Sequence, residues 1–344
     1  MNELPRPYLS VIIPAHNSAD TLAPLLDQLA QALDPDCEVI IVDDRSTDGT
    51  AELVARYPVR RVPLTGGRGP AAGRNLGVRE ARGEVIMFMD DDVVIKDRGL
   101  LAGVIRRFQE DPRLTMLSTL SEKRPENAGF LPAYTSLQEW VIYHRYVTGA
   151  GDQYFPDFTT RCGAMRRAVF EQAGGFDEKF QLPSVEDADL FYRIAAVAPL
   201  GIVCPGYQIG HHWPQRFSRL MRAYITRSRL WIRLFAGRKQ FDDVFSTRRE
   251  ALAKISDGAM LLFLLLGLLF PPLWFGAAAC AGMSAYLGRD LLEEARREYG
   301  TMFALKAFVV HALASAALLT GAAWGCLDLL RDRLRARGAR NAGG

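Results

Sequence analysis

Val85-Ile86-Met87-Phe88-Met89-Asp90-Asp91-Asp92 is the stretch that decides the fold of this 344-residue chain. Five apolar residues set between Gly83-Glu84 and three acids have the pattern of a buried strand that stops at a sheet edge. Three adjacent carboxylates repel one another, and a divalent cation that favours hard oxygen ligands, Mg²⁺ or Mn²⁺, relieves that repulsion. Alone, the triple acid is read more readily as a solvated turn. It is not alone. Glu38-Val39-Ile40-Ile41-Val42 ends in Asp43-Asp44, and Leu9-Ser10-Val11-Ile12-Ile13 ends in Pro14-Ala15-His16-Asn17. Helical spacing runs from Ala19 to Leu33, a Ser/Thr/Asp cluster precedes Ala51, and a helix is expected from Gly73 to Arg82. This alternation predicts an α/β fold with a mixed, mostly parallel sheet flanked by helices, which binds its ligand at the carboxyl ends of the strands. The acids then converge on one edge.

The turn after the first strand lacks the Gly-rich dinucleotide fingerprint, and there is no phosphate-cradling Walker loop. A sheet that supplies acids instead of those devices suggests a nucleoside diphosphate held through a bridging cation. Four runs in this order resemble the family-2 glycosyltransferases: Ser10 to Asn17, Val42 to Thr50, Gly73-Arg74-Asn75-Leu76-Gly77, and Gly83 to Asp92. Cys162-Gly163-Ala164-Met165-Arg166-Arg167, Gly174-Gly175-Phe176-Asp177-Glu178 and Val185-Glu186-Asp187-Ala188-Asp189 extend the resemblance, which covers roughly residues 8 to 235. It implies the GT-A fold of nucleotide-diphospho-sugar transferases and inverting transfer from a nucleoside-diphosphate sugar to a hydroxyl or phosphate acceptor.

The same resemblance assigns roles. Asp44 and the segment Pro14, Ala15, His16 and Asn17 would hold the nucleoside, and Arg68 or Arg74 would pair with base or phosphate. Asp90 would touch ribose or sugar, with Asp91 beside it, and Asp92 would ligate Mg²⁺ or Mn²⁺. His211 or His212 is a further metal candidate, adjacent histidines on a loop being suited to that. Asp187 matches the base that takes the acceptor proton, favoured as an anion by its helix N-terminus. Glu186, Gly163 and Trp140 belong to the acceptor side, where Trp140 and Tyr143, or Tyr154-Phe155, stack on sugar or simply pack in the core. His16 stands where an aromatic residue is usual, and Arg45 where glycine is frequent. The Gln-x-x-Arg-Trp element of processive synthases is absent, so single addition is expected. Two other classes remain: a nucleotidyltransferase of similar fold, which would show a Gly-rich basic loop after the first strand, and a non-catalytic membrane scaffold, which would not be expected to retain Asp44, Asp92 and Asp187 together.

A GT-A domain over residues 1–235 leaves an appendage of different character. The net charge of +3 is ordinary, but arginines interleave with aromatic and aliphatic residues between Arg216 and Lys239. That pattern suits an amphipathic helix on an anionic membrane surface, and no base-stacking module accompanies it, so nucleic acid is not an expected partner. Residues 256–330 read as a membrane region. Gly258 to Gly288 holds no charged residue, Ala307 to Leu327 is a second apolar run, and both suggest transmembrane helices. Pro271-Pro272 either kinks the first span or turns a re-entrant hairpin. The basic tail of residues 331–344 argues for a cytoplasmic C-terminus, hence two crossings, with three as the alternative. A multi-pass protein of the cytoplasmic (inner) membrane follows, its catalytic domain in the cytoplasm and its acceptor lipid-linked or a membrane-associated glycan of the cell envelope. Five scattered cysteines are expected as free thiols, residues 122–158 as irregular, and the end from Gly338 as disordered.

Overall fold

The computed structural model describes residues 6–144, 153–154, 158–198, 201–238 and 247–342. In chain order these form β1 (Leu9–Ala15), α1 (Ala19–Ala32), β2 (Cys37–Asp43), α2 (Thr50–Val54), β3 (Arg60–Pro63), α3 (Gly69–Glu80), β4 (Val85–Met89) and β5 (Val93–Ile95). Next come α4 (Leu100–Glu110), β6 (Met116–Ser121), α5 (Phe130–His144), β7 (Gln153–Tyr154), β8 (Cys162–Arg166), α6 (Arg167–Gln172), α7 (Glu186–Ala195) and β9 (Gly201–His211). The helices α8 (Phe217–Arg238), α9 (Arg248–Leu266), α10 (Leu273–Leu287), α11 (Arg289–Tyr299) and α12 (Thr301–Ala342) follow. Two compact units result: Met1–Asn127 with Tyr143–His212, and Ala128–Ile142 with Trp213–Gly344.

In the first unit the strands lie in the order β3-β2-β1-β4-β8-β6-β9-β5, with β7 paired to β9. β3, β2, β1 and β4 are mutually parallel, whereas β8 runs antiparallel to β4 and β5 antiparallel to β9. The expected mixed sheet is therefore present, with helices on both faces, but only four of its eight pairings are parallel. Alternate residues of one strand serve opposite cores, as strand geometry requires. Val11, Val39, Val85 and Met87 join Leu22, Leu25 and Phe108 on one side. Ile12, Ile40, Ile86 and Phe88 join Phe170, Phe176 and Leu190 on the other. Asn75 stitches two of the quoted motifs together: its amide donates to the Phe176 carbonyl, and its own side-chain carbonyl accepts from the Phe176 N–H, both at 2.9 Å.

Several expectations change at the level of elements. α3 begins at Gly69 rather than Gly73, because Gly69 adopts a positive φ and Pro70 suits the first helical turn. Within residues 122–158, Phe130–His144 is a 15-residue helix, its Tyr134 and Leu137 buried in a core of the second unit. The terminal strand extends from Gly201 to His211, so one of the paired histidines stands on a strand end, not a loop. Tyr154 and Phe155 carry a stacking expectation that lies outside the residues whose side chains are described. α12 continues to Ala342, through the end expected to be disordered.

The second unit departs most. Pro271-Pro272 separates two helices, α9 and α10, as the hairpin alternative expected, rather than kinking one. Among the described residues one helix segment, Thr301–Arg335, is long and apolar enough to cross a membrane, and Leu273–Leu287 is apolar but shorter. α8 is not a free surface helix either. It packs along α12, where Gly321 and Gly325 bring the backbone of Ile225 and Arg229 close, and Arg229 and Arg233 pair with Asp328 and Asp332. Of the five cysteines, Cys37, Cys162, Cys280 and Cys326 are free thiols.

Gly77 shows how tightly α3 lies on the sheet: an added Cβ would collide with the Ile12 side chain and reach Val42 Cγ2 at 3.2 Å. Overpacking of this kind costs about 1–3 kcal/mol. Gly77→Ala should lower the urea midpoint of the full chain accordingly; an unchanged midpoint would contradict this packing.

Candidate functional site

The ends of β1 and β2 are joined by main-chain and side-chain bonds that shape one edge of the sheet. The Asp44 N–H donates to the Ala15 carbonyl at 2.8 Å, and the His16 ring nitrogen Nδ1 lies 2.6 Å from the Asp44 carbonyl. Asn17 and Arg45 both adopt left-handed backbone, φ 53° and 58°. Arg45 thus holds, as an L-residue, the conformation that glycine adopts without strain, at a cost of roughly 1–3 kcal/mol. Asn17 accepts from the Thr47 N–H at 2.8 Å, and its own N–H donates to Ser46 Oγ at 3.0 Å. Pro14 is half-buried, while His16 and Asn17 are exposed on the rim.

Asp44 has partners on both oxygens: Arg45 donates to Oδ1 at 2.9 Å and the Gly69 N–H to Oδ2 at 2.8 Å. It therefore ties β2 to the start of α3, and Arg68 stands exposed at the N-cap of that helix. Its neighbour Asp43 is structural. Arg61 grips it with Nε and Nη2 at 2.9 and 2.6 Å, and the Ser46 N–H donates to its other oxygen at 2.9 Å. Burial pushes the Asp43 carboxyl up, but Ser46 and Arg61 outweigh burial and hold it below the usual carboxylate range.

Behind β4 the three acids take three directions. Asp90 accepts from Arg74 Nη2 at 2.8 Å; Arg74 Nη1 in turn donates to Glu186 Oε1 at 3.0 Å. Arg74 and Glu186 are both 3% exposed, and Glu186 also accepts from the Ser184 N–H at 2.7 Å. Burial opposes the Arg74 charge, yet Asp90, Glu186 and Asp187 outweigh it and raise its pKa. Burial likewise raises the Asp90 carboxyl, with Arg74 pulling against it and Asp92 adding to the rise. The Arg74 guanidinium lies over the Phe176 ring, 5.6 Å from its centroid, while its Nε is buried without a hydrogen-bond partner.

Asp91 turns toward the start of α1, where the hydroxyl of the N-cap residue Ser18 donates to it. Its burial, with Asp90 and Asp92 adding to the effect against the Ser18 bond, pushes its carboxyl up to about 7. Asp92 faces the other way, 3.2 Å from His211 Nε2. Antiparallel pairing of β5 with β9, Val93 opposite His211, makes that meeting. Burial raises Asp92, but the His211 hydrogen bond and charge and the Arg161 charge prevail and leave it below its ordinary value. His212 points its Nδ1 at the Asp92 main-chain carbonyl, 3.3 Å away, rather than at the carboxylate.

Asp187 lies in the first turn of α7, half-exposed, its Oδ1 accepting from the Ala188 N–H at 2.8 Å. Its charge acts on Arg74, so one buried guanidinium links the acids after β4 to the start of α7. At Gly163, on β8 between β4 and β6, a Cβ would run into the Thr159 carbonyl and the Phe158 ring, so packing there requires glycine. Trp140 belongs to the second unit, packed against its Tyr134 and Leu137 core. Sequence reasoning missed Ser18, Arg61, Arg161 and the Arg74–Glu186 pair. Ser18 and Arg61 carried no distinguishing signal. Arg161 was inferable only from register: Met89 opposite Cys162 places Asp90 beside Arg161.

Among the described residues no group of three His, Cys, Asp or Glu stands ready for a metal. The adjacent Asp92 carboxylate and His211 imidazole are a donor pair that fits Mg²⁺ or Mn²⁺, cations that fill the rest of their shell with phosphate oxygens and water.

Residues 10–174 match the family model Glycosyl transferase family 2. The chain is 40% identical over 96 residues to the succinoglycan biosynthesis protein ExoO of Rhizobium meliloti (strain 1021), covering 27% of this chain and 28% of that one. It is 36% identical over 103 residues to a poly(ribitol-phosphate) beta-glucosyltransferase of Bacillus spizizenii, covering 27% of this chain and 16% of that one. It thus spans less than a third of the length of these curated relatives. The mannosyltransferase PcManGT from Pyrobaculum calidifontis, solved with GDP-Man and Mn²⁺, superposes with a TM-score of 0.57 at 21% identity, over 94% of this chain and 88% of that one. That likeness establishes a GT-A-like α/β fold.

Because the Asp43 pKa is depressed, its stabilisation is present above the usual carboxylate range and is lost as pH falls through the folded value. Asp43→Asn should lower unfolding free energy near neutrality by at least about 1 kcal/mol and flatten its decline below about pH 4. Parallel pH–stability curves for variant and wild type would contradict this.

Proposed function

We propose that the chain is an inverting glycosyltransferase that moves a sugar from a nucleoside-diphosphate sugar to a hydroxyl or phosphate acceptor at a membrane. The observation that carries this is the buried Arg74, which couples Asp90 at the end of β4 to Glu186 at the start of α7, next to Asp187. In this reading the nucleoside lies along Pro14–Asn17 and Asp44, on the rim built by the β1–β2 bonds. Asp90 meets the ribose or sugar, and Asp92 with His211 holds Mg²⁺ or Mn²⁺. The cation, when bound, offsets the charge that develops on the departing diphosphate.

Asp187 takes the acceptor proton as that oxygen bonds to the anomeric carbon, while the bond from this carbon to the diphosphate oxygen breaks. The nucleoside diphosphate leaves with the electron pair. The first turn of α7 favours the carboxylate that this step requires, and Ala188 N–H fixes one of its oxygens. Glu186 serves differently. Both its oxygens are committed within the protein, so it positions α7 and Arg74. The apolar helices of the second unit would hold the enzyme at the cytoplasmic membrane, close to lipid-linked acceptors; α12 and the exposed Arg331, Arg333 and Arg335 support that placement.

Two neighbouring substitutions separate the roles. Asp187→Asn should lower transfer at least about a hundredfold, since a general base contributes on the order of 10² to 10⁴, and should leave the melting temperature close to wild type. Glu186→Gln should destabilise the fold by about 3–5 kcal/mol, the cost of breaking a buried pair. Near wild-type transfer by Asp187→Asn would overturn the assignment of the base. For the metal, Asp92→Ala should abolish Mn²⁺-dependent binding of a nucleoside diphosphate, and full activity in EDTA would contradict the metal reading.

A further inference from the structure

We propose that α9 and α10 are a re-entrant hairpin that enters a bilayer from one face and returns to it, its partner being the acyl chains of the lipid. The inference rests on the membrane reading above and specifies how the contact is made. The two helices pack against each other: the Phe263 ring covers Gly276, the Trp274 indole fills the space at Gly267, and Ser256 Oγ donates to the Cys280 carbonyl at 3.0 Å. Both ends meet at one base. Arg249, in the first turn of α9, donates through Nη2 to the carbonyl of Leu287, the last residue of α10, at 2.7 Å. The same nitrogen pairs with Asp290 at 3.1 Å.

Charge and apolar surface are divided between base and tip. Arg248, Arg249, Glu250, Lys254, Arg289 and Asp290 flank the base, and residues 258–288 hold no charged side chain. At the tip, Leu268, Leu269 and Phe275 are 71%, 86% and 83% exposed. Apolar residues surround α10 on every side, with no polar face. A protein partner would cover one stripe of such a helix, whereas acyl chains surround it. Depth also discriminates. The 15 residues of α10 rise only ~22 Å, short of the ~30 Å hydrocarbon core. Asp257, the last ionisable group before the apolar stretch, is 1% exposed and accepts from Ser315 of α12 at 2.6 Å, so it is withdrawn from lipid. Charged side chains of both signs stand at the base, the exposed Arg248, Glu293, Arg296 and Arg297 among them, and suit the polar head-group layer rather than the acyl chains.

The test uses the full chain with its own cysteines replaced by alanine, added to preformed vesicles of phosphatidylcholine and phosphatidylglycerol. An NBD probe on Leu269→Cys should be quenched by nitroxide placed deep in the acyl chains and be protected from external dithionite. Probes on Arg248→Cys and Arg296→Cys should both be reduced by external dithionite. Protection of either base probe would mean a crossing and overturn the hairpin, as would a vesicle-bound chain whose Leu269 probe stays in water. Failure of the chain to bind vesicles at all would remove the membrane reading together with the hairpin. The double substitution Leu269→Glu with Phe275→Glu, on exposed positions, should weaken vesicle partition by at least about tenfold. Unchanged partition with a smaller oligomer on size exclusion would make the tip a contact between copies of the chain and overturn the proposal.

Discussion

The Arg74 guanidinium, buried between Asp90 and Glu186, is the constraint on which the candidate site depends. Taking a cation and two carboxylates out of water costs several kcal/mol per ion, and mutual attraction offsets this only when geometry and additional hydrogen bonds are good. Those bonds are present: the Ser184 N–H meets Glu186, and the Phe176 ring lies beneath the guanidinium. Asn75, next to Arg74 on α3, fastens Phe176 through both of its main-chain polar groups. The end of β4 and the helix carrying Asp187 are thereby fixed by one small set of contacts. Removing a single member leaves a buried charge without its complement.

The order of the acids follows from this arrangement. Three carboxylates in sequence would repel if they pointed together, and they do not. Asp90 is neutralised by Arg74, Asp91 is held by Ser18 at the N-cap of α1, and Asp92 is left beside His211. Only the last is placed with an imidazole for company and a carboxyl pKa below the ordinary value, which suits a group that meets a cation as an anion. The triple acid thus holds three distinct environments within one turn of chain.

The sheet was legible because its strands are uninterrupted apolar runs ending in acids, and Asp43-Asp44 and Asp90-Asp91-Asp92 mark those ends directly. Antiparallel pairings left no comparable trace. Nothing local in Val93-Val94-Ile95 announces that it will pair with residues more than a hundred positions away and bring His211 to Asp92. Arg74 was legible as a residue of interest but not as a buried one, since burial of a guanidinium depends on partners from α7 and the end of β4. In the helical unit composition alone left the alternatives open: apolar runs at Gly258–Gly288 and Ala307–Leu327 have similar content, yet one is a pair of helices joined at Pro271-Pro272 and the other part of one long helix.

Hydrogen exchange of the full chain with nucleoside diphosphate and Mn²⁺ tests the donor site most directly. Slowed exchange should be confined to the strand ends: the β1 turn at His16–Asn17, the loop after Asp44, the segment Asp90–Asp92 and the end of β9 at His211. This protection should be lost without the cation. Protection elsewhere on the chain, or the same protection without Mn²⁺, would contradict a cation-dependent donor site at the carboxyl edge of the sheet.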